Sequence, residues 1–388
     1  MKEFHVTGTC NPEWHYMVDI SDRVERIARD YIAKGKYFTI NRARQYGKTT
    51  MMFLLRKYLQ EKYFVVSISF EAADELFVSP YTLAVGLQRS LGRQLRIQKF
   101  PDQLVKEWEA PISNDFAMDD FGERITDLCR GCDRKIILMI DEVDKNSDNQ
   151  VFLGFLGLLR SKYLAWMGGV DITFQSVILA SVYDIKNLKL RIRSNEETKY
   201  NSPWNIAEDF NMDLSFSPND IAGMLAEYDA DYSVGMDVSA MSQWIYDYTG
   251  GYPYMVSRIC KLIDERVAGT EDFPEKKDAW TLEGGLEAVR LFLKEPNTLF
   301  DDMVKKLQEY PAVKDMLCNI LFRGVRYTFE IDNLNINIGI MFGFIREKDN
   351  AVLIANRLYE TKMYNLFLSE AEQDGLKNGG KKIVKIVV

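Results

Sequence analysis

Two short polar clusters in the sequence have the residue types and the spacing of a phosphate site. The first is the GKTT stretch at 47–50, and the second is the acidic pair at 141–142, far downstream. A lysine ammonium and the N–H groups of a helix N-terminus attract phosphate oxygens, and hydroxyl and carboxylate oxygens ligate Mg²⁺. Together the clusters predict binding of a triphosphate–magnesium complex, ATP with Mg²⁺.

The GKTT stretch supplies three distinct roles. Gly47 lets the backbone approach a phosphate without a Cβ clash, Lys48 would bridge the β- and γ-phosphates, and the Thr49 hydroxyl would ligate Mg²⁺. The other loop and helix-start residues predicted to bind nucleotide are Arg44, Gln45, Tyr46 and Thr50.

The loop departs from the full phosphate-loop pattern at its first position. GxxxxGK[ST] requires glycine at position 42, where this chain has Arg42. The alternative interpretation is therefore a strand–turn–helix in which Lys48 is merely solvated.

The acidic pair follows KIILMI, a nearly continuous apolar run at 135–140. Such a run is typical of a strand covered on both faces of a parallel sheet, and ligands of these sheets bind beyond the carboxyl ends of the strands. We expect Asp141 to hold Mg²⁺ and Glu142 to polarise the attacking water, with Lys48 as its catalytic partner. The alternative is a charged pair that simply ends a buried strand.

Three further residues are weaker candidates. Ser181 ends the apolar segment 173–181 and could sense the γ-phosphate, although a plain polar strand end is as good an interpretation. Arg191 or Arg193 could act as an arginine finger, but a solvated basic loop is favoured.

The pattern of elements predicts an α/β fold. Apolar strand-like runs alternate with segments of helical periodicity, which favours a parallel sheet with helices on both faces. The GKTT stretch lies between the run at 37–40 and a helical segment at 51–63, where a phosphate loop belongs. Beyond about residue 205 the pattern is mostly helical.

Composition narrows the class of protein. The net charge of −8 gives no general attraction to nucleic acid or anionic membranes. No apolar stretch approaches the ~18 residues of a membrane span, and the N-terminus has no apolar core of a secretory signal. Five cysteines at irregular spacing argue against a disulfide framework, and Cys129 and Cys132 are interpreted as reduced thiols. A cytoplasmic location is expected.

Five segments together resemble the AAA-like P-loop ATPases of bacteria and archaea, in the neighbourhood of the STAND and archaeal-ATPase clades: HYMVDIS (15–21), NRARQYGKTT (41–50), LMIDEVD (138–144), VILASVYDIKNLK (177–189) and TGGYPYMVSRICKLID (249–264). The resemblance implies a P-loop NTPase sheet followed by a helical lid and a C-terminal winged helix. In many members of this group an Arg-rich loop likewise replaces the first glycine, which accommodates Arg42.

The resemblance also implies further site residues. Tyr16 would lie near the adenine, and Gly251 and Pro253 would form a GxP motif that places the lid against the nucleotide. The implied domains are a P-loop core at 1–205, a lid at 206–283, a winged-helix-like domain at 284–370 and a tail at 371–388.

The leading functional hypothesis is a Mg²⁺-dependent ATPase that acts as a nucleotide-driven switch. Two alternatives stay open: a DNA-binding winged-helix module with structural ATP, and a hydrolysis-deficient pseudo-ATPase scaffold. We expect the winged helix to contact a protein partner rather than DNA, because its charges are mixed rather than a dense basic stripe. Oligomer formation is possible, and no membrane partner is expected.

Overall fold

The computed structural model describes residues 2–143, 150–182, 185 and 203–377, with side chains described to residue 373. The described strands are β1 (Glu3–Phe4), β2 (His15–Tyr16), β3 (Phe38–Asn41), β4 (Phe64–Ser69), β5 (Ile136–Asp141), β6 (Ser176–Ser181), β7 (Ile345–Lys348) and β8 (Ala351–Ile354).

The described α-helices are α1 (Ser21–Ile27), α2 (Lys48–Leu59), α3 (Pro80–Ile97), α4 (Asp102–Trp108), α5 (Ala117–Gly131), α6 (Gln150–Met167), α7 (Pro218–Tyr232), α8 (Val238–Thr249), α9 (Pro253–Leu262), α10 (Lys276–Ala279), α11 (Leu282–Lys294), α12 (Thr298–Glu309), α13 (Pro311–Arg323), α14 (Leu334–Met341) and α15 (Arg357–Lys377). Helices α1 and α9 each continue into a π-helical turn, Ala28–Ile32 and Ile263–Val267.

The chain divides into two compact units. The sheet unit comprises residues 20–42 and 48–213, and the helical unit comprises residues 1–19, 43–47 and 214–388. The sequence assigned 1–19 and 43–47 to the core, whereas by contact they group with the chain from Leu214 onward. The four predicted domains stay predictions.

The sheet unit contains a four-stranded parallel sheet in the order β3-β6-β5-β4. The strands predicted at 37–40, 135–140 and 173–181 are confirmed as β3, β5 and β6, as are the α/β class and the parallel sheet. Strands β5 and β6 are buried along almost their whole length because both sheet faces are covered, as their continuous apolar sequence indicated. Register aligns Asn41 with Ser181 and Ser69 with Asp141, so the carboxyl ends of neighbouring strands lie side by side.

The core of the sheet unit forms where α3, α5 and α6 bring apolar side chains to the strands. Its largest members include Phe70, Trp108, Phe121 and Phe152. One ammonium enters this packing: Lys162 Nζ pairs with Asp171 at 2.7 Å. It also donates to the Thr126 hydroxyl at 2.6 Å, so the buried charge is compensated.

The helical unit packs its N-terminal strands against α7, α9 and the segment around Trp280. Phe4 of β1 lies 5.2 Å from the Tyr228 ring and 5.7 Å from the Trp280 ring, both centroid to centroid. Lys261 of α9 donates to the Phe4 carbonyl at 3.1 Å. Helix α7 begins at Pro218, with Ser217 as its cap. These contacts tie the first residues of the chain to α7 and α9.

The C-terminal part of the helical unit contains α12, α13 and α14, followed by an antiparallel β7–β8 hairpin. Thr328 forms an isolated antiparallel bridge with Ala351 of β8. Of the described helices, none is both long and apolar enough to cross a membrane. The expected cytoplasmic location stays a prediction.

Gly251 can be replaced only at a cost to the fold. Its φ is +72°, and an ideal Cβ would lie 2.0 Å from the Phe216 carbonyl oxygen. We expect Gly251→Ala to lower the free energy of unfolding by at least about 2 kcal/mol, because the backbone must shift.

The measurement is urea unfolding, with Gly223→Ala as the control. Gly223 lies in α7 with nothing within 4 Å of an added Cβ. That variant should gain up to about 1 kcal/mol from helix propensity. Equal stabilities for the two variants would contradict the steric argument.

Candidate phosphate site

The sheet unit brings the two predicted polar clusters together. The Thr49 hydroxyl donates to Asp141 Oδ2 at 3.0 Å, and the Glu142 N–H donates to Asp141 Oδ1 at 2.9 Å. Thr49 stands at the start of α2, and Asp141 ends β5. Strand β6 lies between β3 and β5, but all three are parallel and end at one edge of the sheet. A hydroxyl and a carboxylate at this spacing fit two ligands of one Mg²⁺ ion.

Lys48 begins α2 with its side chain turned into the structure. The residue is 9% exposed, and its Nζ donates to the Arg42 carbonyl at 2.9 Å. A buried ammonium requires acceptors, and here a backbone carbonyl supplies one. A phosphate oxygen would compete with that carbonyl for the same ammonium.

Arg42 is accommodated by acceptors of the sheet unit. Its Nη1 donates to the Asn41 carbonyl at 2.8 Å, and its Nη2 donates to the Met212 carbonyl. The guanidinium carbon lies 5.7 Å from the centroid of the Phe210 ring. The residue that replaces the first glycine of the pattern is therefore anchored to segment 210–212, a partner that its local sequence did not reveal.

Ser181 lies buried at the end of β6, directly beside β3. It pairs in register with Asn41, and its carbonyl accepts the Arg42 N–H at 3.1 Å. The structure thus places this sensor candidate at the same sheet edge as Asp141. The other two sensor candidates, Arg191 and Arg193, lie outside the described residues.

Glu142 adopts a left-handed backbone conformation with φ +58°. This region is costly for a residue with a Cβ, and such strain concentrates at functional sites. The conformation follows directly after Asp141, at the carboxyl end of β5. The sequence showed the acidic pair but not this backbone conformation.

The loop before Lys48 packs within the helical unit. The Tyr252 hydroxyl donates to the Arg44 carbonyl, and the Tyr46 ring stands nearly perpendicular to the Tyr252 ring, with centroids 4.6 Å apart. Burial, followed by the neighbouring Tyr359, raises the pKa of Tyr252 well above its usual value, so the hydroxyl stays a donor. Gly47 has φ +80°, and an added Cβ would lie 3.9 Å from Pro253.

Two side chains of the loop contact α12, also within the helical unit. The Gln45 Nε2 donates to the Thr298 hydroxyl at 3.1 Å, and Arg44 Nη1 lies 3.4 Å from Asp302 Oδ1. Sequence reasoning did not identify Thr298, Asp302 or the role of Tyr252. No local pattern could have found them, because each contact joins residues more than 200 positions apart.

Tyr16, predicted to lie near adenine, is buried among aromatic side chains. Its hydroxyl donates to Asp231 Oδ2 at 2.6 Å, and its ring lies 5.2 Å from both Phe4 and Tyr228. Its role toward adenine stays a prediction.

Glu3, His5 and His15 place potential metal-ligand atoms within 4.8 Å of one another. However, the two imidazole rings are stacked, with 4.1 Å between centroids and 4° between planes. A ligated ion lies in the plane of each imidazole, and two parallel planes cannot share it. His15 Nδ1 also accepts the Asn11 N–H at 2.9 Å, which leaves the proton on Nε2. We assign this cluster to packing.

Two solved structures share the fold of this chain. A Walker-type ATPase of Pyrococcus abyssi aligns with a TM-score of 0.58 and 14% identity, over 93% of this chain and 99% of that chain. The ORC2 protein of Aeropyrum pernix, in its ADPNP–ADP complexes, aligns with a TM-score of 0.50 and 12% identity, over 95% and 98% of the two chains. This chain therefore has the same fold as these two proteins.

The family follows from the sequence profile. The AAA-like domain matches residues 8–365, nearly the whole chain, so the protein belongs to the AAA-like domain family. Curated protein sequences give no significant match. The resemblance drawn from the five motif segments is thereby confirmed at the level of the family.

The left-handed backbone at Glu142 predicts that glycine stabilises this position. We expect Glu142→Gly to be about 1 kcal/mol more stable than Glu142→Gln, because glycine relieves the left-handed strain while both variants remove the carboxylate. Thermal and urea unfolding of the two variants measures this difference. A glycine variant less stable than the glutamine variant would mean that the conformation is not strained.

Proposed function

We propose that this protein binds ATP with Mg²⁺ and hydrolyses it, and that the nucleotide state switches the protein between two conformations. One observation carries the proposal: the Thr49 hydroxyl and the Asp141 carboxylate meet at 3.0 Å at the carboxyl edge of a parallel sheet, next to Lys48. The ADPNP–ADP complexes of a protein with this fold support the choice of an adenine nucleotide.

The residues have separable roles in this proposal. Lys48 would exchange the Arg42 carbonyl for oxygens of the β- and γ-phosphates, which places its charge where negative charge develops. Thr49 and Asp141 would hold Mg²⁺, which neutralises phosphate charge when bound. The loop ahead of Lys48, from Arg44 to Gly47, would offer its backbone N–H groups to the phosphates, with Thr50 beside them in the first turn of α2.

Glu142 is the proposed general base. It follows the magnesium-binding Asp141, and its backbone N–H is tied to that carboxylate at 2.9 Å. A carboxylate there can accept a proton from the water that attacks the γ-phosphorus. Ser181, buried at the end of β6, is the proposed γ-phosphate sensor, and Pro253 and Tyr16 are proposed nucleotide contacts of the lid and the N-terminal segment.

The binding site and the base are tested with three proteins: wild type, Lys48→Ala and Glu142→Gln. Ligand that binds only the native state raises its melting temperature. ATP–Mg²⁺ should therefore stabilise the wild type and Glu142→Gln but not Lys48→Ala. Phosphate release should be lost in both variants, by at least about 100-fold for the missing base.

Retained ATP affinity in Lys48→Ala would refute the site. Equal turnover in Glu142→Gln would remove the base, and wild-type binding without turnover would select a hydrolysis-deficient scaffold.

A second proposal concerns the C-terminal region. We propose that 284–370 is a winged-helix-like module that contacts a protein. Helices α13 and α14 and the β7–β8 hairpin, with the added pairing at Thr328, support that architecture. Some of its cations are engaged by acids: Lys306 pairs with Glu309 at 2.6 Å and Lys314 with Glu370 at 2.7 Å.

Neutralised cations contribute little to phosphate binding. We therefore expect no retention of the protein on duplex DNA even at low salt, measured by fluorescence anisotropy. Binding that weakens steeply with added salt would instead select the DNA-binding alternative, because displaced counterions set that slope.

A further inference from the structure

The loop that precedes Lys48 is held by three side chains of the helical unit. Tyr252 donates to the Arg44 carbonyl, Thr298 accepts from Gln45, and Asp302 pairs with Arg44. We call Tyr252, Thr298 and Asp302 the loop latch. Two of its members lie in the first turns of α12, so the C-terminal region reaches the loop directly.

The loop has a backbone that requires outside support. Gln45 lies in the left-handed region with φ +55°, and Gly47 follows at φ +80°. A non-glycine residue holds such a conformation only where surrounding contacts determine it. The Gln45 Oε1 is buried and has no hydrogen-bond partner in the described part of the chain. The Thr298 hydroxyl is thus the contact that fixes the orientation of this amide.

At a second place, the C-terminal region comes close to the loop that the latch holds. Gly343, in the turn between α14 and β7, lies so close that an added Cβ would be 3.1 Å from the Ala43 Cβ.

The Asp302 side chain is 17% exposed, and the Arg44 side chain that it pairs with is 60% exposed. The ion pair alone is therefore weak.

We propose that Thr298 and Asp302 are positioning residues of the nucleotide site. They act through Gln45 and Arg44 to keep the phosphate loop in the shape that receives ATP, and Tyr252 acts with them through the Arg44 carbonyl. Nucleotide affinity therefore depends on the placement of α12. A partner that shifts α12 changes ATP affinity without touching the nucleotide. This inference rests on the proposed function, since it concerns the same ATP site.

The test compares single substitutions on α12. Thr298→Val removes the hydroxyl at nearly constant shape and should raise the dissociation constant for ATP–Mg²⁺ about two- to tenfold, the equivalent of one hydrogen bond. Thr298→Ser keeps the hydroxyl and should restore the wild-type affinity. Asp302→Asn should weaken binding by at most about fivefold, as for a partly exposed ion pair. Asp301→Asn makes the same charge change one position away and should have no effect.

The energetic coupling between Arg44 and Asp302 distinguishes a positioning role from a general effect on the stability of the protein. In a double-mutant cycle, the effects of Arg44→Gln and Asp302→Asn on ATP affinity should not multiply, because each removes the same pair. The latch sets the shape of the loop before the chemical step takes place. In the Thr298→Val and Asp302→Asn variants, the Michaelis constant for ATP should therefore rise while kcat stays within about twofold. Multiplying effects, or a Thr298→Ser variant as weak as Thr298→Val, would overturn the inference.

A measurement without nucleotide keeps the two proposals distinguishable. Hydrogen exchange of the amides at 43–47 in the nucleotide-free protein should accelerate in Thr298→Val and not in Thr298→Ser. A wild type that fails to bind ATP removes the proposed function and the positioning role together, whatever the exchange result. A wild type that binds ATP, with unchanged affinity and unchanged exchange in Thr298→Val, refutes the latch alone.

Discussion

The candidate site depends on one geometric constraint, which is that parallel strands end at the same edge of a sheet. Thr49 follows β3 and Asp141 ends β5, and these strands are not neighbours, since β6 lies between them. Their side chains nevertheless meet at 3.0 Å. An antiparallel arrangement of β3 and β5 would send the hydroxyl and the carboxylate to opposite ends. The chemistry proposed for the site therefore depends first on the direction of the strands, which brings the two side chains to the same sheet edge. It depends only then on the residue types.

Much of this sheet edge could be predicted from the sequence, because its signals are local. The apolar run before Asp141 is buried on both faces as its composition indicated, and Lys48 starts a helix directly after the loop. The departure at Arg42 was harder to interpret. Its side chain is accommodated by the carbonyls of Asn41 and Met212, and the second of these is 170 positions away. Local sequence can show that a glycine is missing, but not which acceptors compensate for the residue that replaces it.

The remaining contacts of the loop could not be predicted, because they are tertiary. Thr298 and Asp302 belong to an ordinary amphipathic helix, and nothing in its sequence marks them as neighbours of Gln45 and Arg44. Motif resemblance did direct attention to the segment around Pro253. The motif treats Tyr252 as its variable position, yet the Tyr252 hydroxyl holds the Arg44 carbonyl. Side chains that position a site are thus less visible in sequence than those proposed to bind the ligand.

Both parts of the candidate site contain left-handed backbone. Gln45 does so in the loop and Glu142 does so after β5, each with a Cβ that makes the conformation costly. In each case a hydrogen bond stands beside the strained residue: Asp141 accepts the Glu142 N–H, and Thr298 accepts from the Gln45 amide. A site proposed to receive a highly charged ligand gains from a loop whose shape is already set, because ordering it on binding would reduce affinity. In the proposed function, the contacts that set this shape are therefore as much a part of nucleotide recognition as Lys48 itself.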